Sequence, residues 1–528
     1  MNIIATLLEP KFLFTIFLLA TIVYITNATR KYSTSTVDYW VGGRSFGWVV
    51  NGSAIAGDYL SAATFLGLAG LVFSLGYDGL FYTFCFSIGL TLLALFVAGP
   101  LRRFGAFTVP DFLGQRFHSP RARLIAVIVV LAISGFYAAP QLLGAAQILK
   151  LFFGTSYTFG ILFTVGIMIF YVGVGGMKGT TINQALEIWI RFAAFLVMFV
   201  MAIYFGLNYG KVLDVITHWS GPIANTAQYT ADAKDLAFDG SIWEKTGAMF
   251  KDLPGSISML IGLAFGTIGL PHILLRFYTN PSAKDARYSA LFAIGIASVF
   301  FALALYLGTV GRYVFMTGAQ NGTLNPETLQ AMIQGGTNMI IPSLSEALGG
   351  KWLLGFVISG AFAAIFSNLS GLFIASSGAL GHDLYTHFIN PNSSEKQRVR
   401  AGKIAVVVCG VFYGILGLMV ETAAIGHLVG LAFNVAASTF APIFILGIWW
   451  RGMTEKGAIA GLTMGLISSL WMIFLPETLP AAIQFKIPGL ITVPIGFLSV
   501  YIVSKLDGKV PADVNEFMKK VHAKEVAS

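Results

Sequence analysis

Charge is scarce in this chain. Only 11% of its 528 residues are charged, whereas a soluble domain carries about 25%. Cysteine is scarcer still. The two present, Cys85 and Cys409, both lie inside apolar runs, which excludes a disulfide framework and a cysteine metal set. The seven histidines are scattered. Nothing in the chain reads as a nucleophile with its base, a phosphate loop or a metal triad, so an enzyme is not expected. Long polar stretches are also missing. The widest gap between apolar runs is about 45 residues, too short for a typical folded domain. What abounds is apolar surface: 56% of the residues are hydrophobic and the mean hydropathy is +0.77. Such a chain is an all-α polytopic membrane protein with the lipid bilayer as its surroundings. The net charge of +9 is spread in short clusters between apolar runs, so no nucleic-acid partner is expected.

A crossing needs about 20 apolar residues, and by that rule about thirteen spans are expected. They run approximately over 8–27, 46–73, 77–99, 122–151, 157–175, 181–207, 254–276, 285–313, 347–382, 400–421, 424–450, 455–475 and 487–506. The first lacks a basic leader and a small-residue cleavage site, so it reads as a retained span. With the N-terminus outside, most basic clusters fall on the cytoplasmic side, among them Arg30 with Lys31, Arg102 with Arg103, Arg116 with Arg123, Arg276 with Lys284, and Lys396 with Arg398. The other side receives two long loops, roughly 208–250 and 314–346, the first carrying Asp214, Asp232, Asp235, Asp239 and Glu244. Cytoplasmic loops are the ones rich in Lys and Arg. The expectation is therefore a plasma (inner) membrane protein with its N-terminus outside and its C-terminus in the cytoplasm.

Two spans are interrupted. Span two contains NGSAIAGDYLSAATFLG at 51–67, with Gly57 and Asp58 in its middle and Tyr59 and Ser61 after them. A carboxylate at mid-membrane costs about 2.5–3.5 kcal/mol on insertion scales. Gly57 is expected to let the helix unwind there. Span seven contains LAFGTIGLPHILLRF at 263–277, where Gly266, Thr267, Gly269, Pro271 and His272 cluster. Proline removes an amide donor and breaks the helix. Five helices separate the two interruptions, and five is odd, so two successive five-helix units would cross the membrane in opposite senses. Paired broken helices in inverted repeats point to a transporter's midplane site. Unwound carbonyls can meet a cation and half-helix N-termini an anion. Thr267 and the amides around Gly266 and Gly269 are the candidates for an anion. In span nine, Ser367 and Asn368 offer hard oxygen ligands suited to a small cation, or serve only helix packing. Glu187 and Arg191 stand four apart on one face of span six and read as a mutually neutralising pair, with Gln184 one turn away on the inward path.

The strings AIAGDYLSAATFLG (54–67), GYDGLFY (76–82), GTIGLPHILLRFYT (266–279) and GHDLY (381–385) resemble the sodium/solute symporter family, closest to the bacterial cation/acetate symporters. The likeness runs over essentially all spans. It implies a leucine-transporter-type core of two inverted five-helix repeats, spans two to six and seven to eleven. It implies a cation site formed by the carbonyls of Gly57, Leu60 and Ala364 with the side chains of Ser367 and Asn368. The family usually has two hydroxyl residues at the last two positions, and Asn368 departs from that, which leaves Na⁺ and H⁺ both open as coupling ion. No cofactor is implied. The substrate would lie beside the two breaks, near Tyr59, Ser61, Gly266, Thr267 and Gly269, with Tyr137 and Gln141 of the fourth span as the other wall. Tyr137 and Gln141 read equally as donors to a carboxylate and as interhelical bonds. His272 reads as a packing residue before a ligand. Asp58 has three readings: it tunes the cation site, carries a proton, or holds unwound backbone.

The expected organisation is an extra N-terminal helix and loop over 1–45, a first repeat over 46–207, an outer loop over 208–253, a second repeat over 254–451 that includes the loop 314–346, and two accessory helices with a tail over 452–528. The expected activity is symport of Na⁺ or H⁺ with a small monocarboxylate such as acetate, propionate or pyruvate. A proline-type amino-acid symporter is the alternative, and the oligomeric state is left open.

Overall fold

In a computed structural model of the chain, the described residues are 7–219, 240–245, 252–321, 324, 336–421, 423 and 425–523. Asp232, Asp235 and Asp239, assigned above to an outer loop, lie outside them. Among the described residues there are helices and no strands. Helices dominate because a bilayer offers no partner for backbone N–H and C=O groups, so each span must satisfy its own.

Among the described residues, eleven helices are long and apolar enough to cross a membrane, and a bent pair raises the number to twelve. In chain order these are α1 (Pro10–Thr29), the bent α2 (Trp48–Tyr59 and Ala63–Leu75), α3 (Tyr77–Phe96) and α4 (Pro120–Phe153). A 48-residue helix, Tyr157–Tyr204, follows. It contains one non-helical residue, Gly176, at φ 55° and ψ −159°. Only glycine reaches that backbone region at low cost. Across it the Tyr171 hydroxyl donates to the carbonyl of Thr180 at 3.5 Å. Nine residues of straight helix would span about 13.5 Å, so the chain turns back at Gly176. Its two arms are α5 and α6, which accounts for the thirteenth crossing. Then come α7 (Leu253–Gly269 and Pro271–Tyr278), α8 (Ala283–Asn321), α9 (Ile340–Gly378), α10 (Glu395–Leu418), α11 (Ile425–Trp449), α12 (Glu455–Phe474) and α13 (Gly489–Asp507).

Helix starts are specified locally. Ser119, Ser156, Asp252 and Thr454 each accept a backbone N–H from the first turn, and Ser394 with Gln397 forms a reciprocal capping box. Each such cap satisfies a donor that the helix cannot. Depth differs along the chain. The most apolar stretch of α9 is 100% buried and that of α11 83%, against 28% for α1 and 33% for α13. α7, α9 and α11 therefore form the protein interior, and α1 and α13 lie at its periphery.

The inverted arrangement is visible in side-chain bonds. Asn51, near the start of α2, donates to the carbonyl of Arg276 at 2.9 Å and to Asn280 Oδ1 at 2.6 Å, near the end of α7. Further along α2, Tyr59 meets Thr267, further back along α7. The two helices run antiparallel, as an odd spacing requires. Past its last regular turn, α9 continues as a π-helix over Ala379–Ile389, which carries GHDLY. There Asp383 accepts from Arg123 Nη1 at 2.7 Å and from Thr108 at 2.5 Å, and Arg123 also pairs with Asp111 at 3.0 Å. Three arginines assigned above to the cytoplasmic charge pattern are in fact buried: Arg116 and Arg276 are 1% exposed and Arg123 6%. A buried guanidinium persists only where carboxylates, carbonyls or ring faces meet it.

Candidate functional site

The first break does not sit at Gly57. Gly57 is helical, and α2 ends at Tyr59 with Leu60 at φ −81°, ψ 71°. The chain then re-enters a helix at an angle of 58°. Gly57 serves close approach instead. A Cβ there would lie 2.8 Å from Ser367 Oγ and 3.0 Å from the carbonyl of Gln184. Only a residue without a side chain lets α2, α6 and α9 meet this closely.

The second break lies where Gly269 and Pro271 place it. Leu270 takes an extended conformation, φ −73° and ψ 114°, and Pro271 opens the next helix. At that first position its missing N–H costs nothing. Gly266 and Gly269 lie flat on α11: added Cβ atoms would sit 2.5 Å from the carbonyl of Phe433 and 2.2 Å from that of Ala436.

The freed carbonyls of α2 have partners. Arg191, from α6, donates to the carbonyl of Gly57 at 3.0 Å through Nη2 and to that of Leu60 through Nη1. Arg191 and Glu187, spaced as a pair, feel each other's charge but make no direct ion pair or hydrogen bond, because the guanidinium lies on the carbonyls. Tyr171 and Ser367 face the Glu187 carboxylate, yet neither of its oxygens has a partner at hydrogen-bond geometry. Asn368 Nδ2 donates to the carbonyl of Asp58 at 2.5 Å, while Asn368 Oδ1 and Ser367 Oγ are buried without a partner. Ala364 is fully buried one turn before Ser367 on α9. Gln184 is no path-lining residue in this conformation. Its Nε2 donates to Asp58 Oδ1 at 2.6 Å, to the carbonyl of Ser367 at 2.7 Å and to Ser370 Oγ at 3.0 Å.

Asp58 is fully buried. Its Oδ2 accepts from Arg276 Nε at 2.6 Å, and Arg276 Nη1 donates onward to Thr181 Oγ1 at 2.7 Å. The carboxylate thus joins the helix before the first break to the helix after the second.

The candidate substrate residues gather on the other side of the breaks. Tyr59 Oη donates to the carbonyl of Phe86 at 2.9 Å and shares a 2.9 Å hydrogen bond with Thr267 Oγ1. Tyr137 Oη donates to Ser61 Oγ at 3.2 Å. Gln141 Oε1 accepts the N–H of Ala62 at 2.9 Å, just past the first break, and its Nε2 has no partner. Neither ring nitrogen of His272 has one. The ring meets Tyr137 edge-on at 5.3 Å between centroids. Phe433 lies 5.7–6.0 Å from Tyr137 and Tyr59, and Phe86 lies 5.0 Å from Phe433. The result is a buried aromatic cluster with a few amide and imidazole nitrogens left over.

Phe86, Phe433, Arg191 and Arg276 belong to this region and were not singled out as site residues. The two arginines carried a signal, since a guanidinium inside an apolar run marks a functional or paired position. The phenylalanines carried none, being two of 45.

Comparison with known proteins bears on the family and the fold. Residues 39–465 match the Sodium:solute symporter family. A Na⁺-coupled sialic acid symporter, solved in a substrate-bound outward-open state, has a similar structure, with a TM-score of 0.73 at 17% identity, over 94% of this chain and 98% of that one. A nucleobase-cation-symport-1 family transporter, solved in a closed conformation, gives 0.51 at 15% identity, over 92% and 99%. Those identities speak for the fold, a leucine-transporter-type core; the matched residues speak for the family. The chain belongs to the Sodium:solute symporter family.

Proposed function

We propose that this protein couples Na⁺ influx to the uptake of a small monocarboxylate such as acetate, propionate or pyruvate. It resides in the plasma membrane, N-terminus outside and C-terminus cytoplasmic. The repeats are α2–α6 and α7–α11, and they work by alternating access. Na⁺ is taken by the carbonyls of Gly57, Leu60 and Ala364 with Ser367 Oγ and Asn368 Oδ1. Five oxygens of this kind suit a small hard cation. Na⁺ and substrate each favour the occluded state, and that differential affinity is the coupling.

The observation that carries the substrate reading is the aromatic cluster with unpartnered nitrogens beside the breaks. Gln141 Nε2 and the His272 ring nitrogens are buried and unpartnered there, and the surrounding Tyr59, Tyr137, Phe86 and Phe433 are aromatic. A carboxylate with a short apolar tail matches such donors and walls. The nearest cationic side chains, Arg191 and Arg276, are already bonded to carbonyls and to Asp58. The nearest carboxylate, Asp58, is bonded to Arg276 and so does not stand ready for an ammonium group.

The test is uptake of labelled acetate, propionate, pyruvate and proline into proteoliposomes under an inward Na⁺ gradient, an inward H⁺ gradient, or neither. The expected result is Na⁺-driven accumulation of at least one of the three acids, with proline excluded. Proline accumulation without the acids would replace the substrate class. Uptake driven by H⁺ and indifferent to Na⁺ would remove the cation assignment.

A further inference from the structure

Arg191 stands where the proposed cation site needs two of its ligands. Its guanidinium takes the carbonyl lone pairs of Gly57 and Leu60. Arginine stays protonated in proteins, so this is a permanent positive charge held on the carbonyls. A Na⁺ ion and the guanidinium compete for the same oxygens and repel each other there. One turn earlier on the same helix lies Glu187, fully buried, with both carboxylate oxygens unpartnered. Residues four apart on a helix face one another. A buried carboxylate that Tyr171 and Ser367 face but do not bond at full geometry is a natural receiver of a guanidinium fork. Arg191 is also only partly satisfied where it is, because its Nε has no partner.

We infer that Arg191 is a tethered competitor of the coupling ion. It occupies the carbonyls of Gly57 and Leu60 until Na⁺ displaces it, and Glu187 then receives it. This inference rests on the cation site proposed above. It adds that Na⁺ affinity is set by the exchange Arg191 makes between two partners, and that Glu187 acts from outside the ligand set. The exchange also explains why the two residues are spaced as an ion pair yet are not bonded as one. With Arg191 on the carbonyls, α6 is clamped to the break of α2; moving it to Glu187 releases that clamp, so ion binding and helix movement become one event.

Two variants move Na⁺ affinity in opposite directions. Arg191→Lys keeps the charge that Glu187 needs but loses the fork that spans two carbonyls. Glu187→Gln removes the receiver. The measurements are binding of radioactive Na⁺ to the purified full-length protein and the Na⁺ dependence of uptake in proteoliposomes. Arg191→Lys is expected to lower the half-saturating Na⁺ concentration about tenfold and Glu187→Gln to raise it about tenfold, a step of ~1.4 kcal/mol each. A merely structural role would weaken Na⁺ binding in both. Shifts in the same direction, or no shift in either while the wild type binds Na⁺, would overturn the inference. Should Arg191→Lys fail to fold, Glu187→Gln alone decides, since unchanged Na⁺ affinity there removes the receiver. The site itself is tested apart by Ser367→Ala. If the wild type binds Na⁺ and Ser367→Ala binds it equally well, the cation-site reading fails, whatever Arg191 does.

Discussion

The two breaks in this membrane protein are made in different ways. In α7 the break is written locally: Gly269 and Pro271 flank Leu270, and Pro271 cannot continue the preceding helix. In α2 no proline or glycine stands at Leu60–Ser61. The unwound backbone is held from outside. Arg191 of α6 takes the carbonyls of Gly57 and Leu60, Gln141 of α4 takes the N–H of Ala62, and Asn368 of α9 takes the carbonyl of Asp58. Unpaired backbone groups inside a membrane cost several kcal/mol each, so the side-chain donors and acceptor that replace helix bonds are what let α2 stay open. A break made by proline persists when its neighbours move. A break made by side chains from three other helices can close or reopen as those helices shift. α2 is thus the half of the pair better built to respond to movement of its neighbours.

The largest effect tests the link between the two breaks. Asp58→Asn leaves Arg276 buried without its counter-charge, and losing one partner of a buried pair costs about 3–5 kcal/mol. Concentrative uptake should be lost and the melting temperature in detergent should fall. Wild-type transport from this variant would show that the Asp58–Arg276 contact does not couple the breaks. The next effect belongs to α7. Gly269→Ala forces a methyl against the carbonyl of Ala436 at 2.2 Å, and overpacking of this kind costs ~1–3 kcal/mol. Transport should decline together with thermal stability; a stable, active variant would mean α7 and α11 separate easily. The smallest effect sharpens the contrast itself. Pro271→Ala restores an N–H at the break and should change stability by only ~0.4–1 kcal/mol. Slower amide exchange across residues 269–274 would show the helix growing through the break. Unchanged exchange would mean that packing on α11, and not the proline, keeps α7 broken.

Much of the architecture was legible in the sequence. Apolar length alone marked thirteen crossings, and Gly176 separates the two arms of the long helix where the expected spans five and six left a gap. The odd interval between GDYLS and GTIGLPH required antiparallel broken helices, and the bonds of Asn51 to Arg276 and Asn280 run that way. That Gly57, Leu60, Ser367 and Asn368 lie close together was legible only through the family resemblance, which names them as candidate cation ligands. Their bonding was not. Gly57 read as a hinge because glycine permits unwinding, whereas it is there for close packing. Glu187 and Arg191 read as a pair from spacing alone, but spacing shows which residues can meet, and the carbonyls of another helix drew the guanidinium away.

The amino-acid sequence by itself determined that this chain lives in a bilayer, about how often it crosses, that its seventh helix is interrupted around Gly269 and Pro271, and that polar residues gather in its interrupted spans. Those outcomes follow from chain-local physics: hydropathy over about 20 residues and the missing amide of a proline. Only the tertiary structure decided where the second helix unwinds and which partner each buried charge takes. Asp58 and Arg276 are 218 residues apart in sequence, and Arg191 lies 131 residues from Leu60. Inside a membrane, a charge takes whatever partner the fold brings within reach, and no local pattern names that partner.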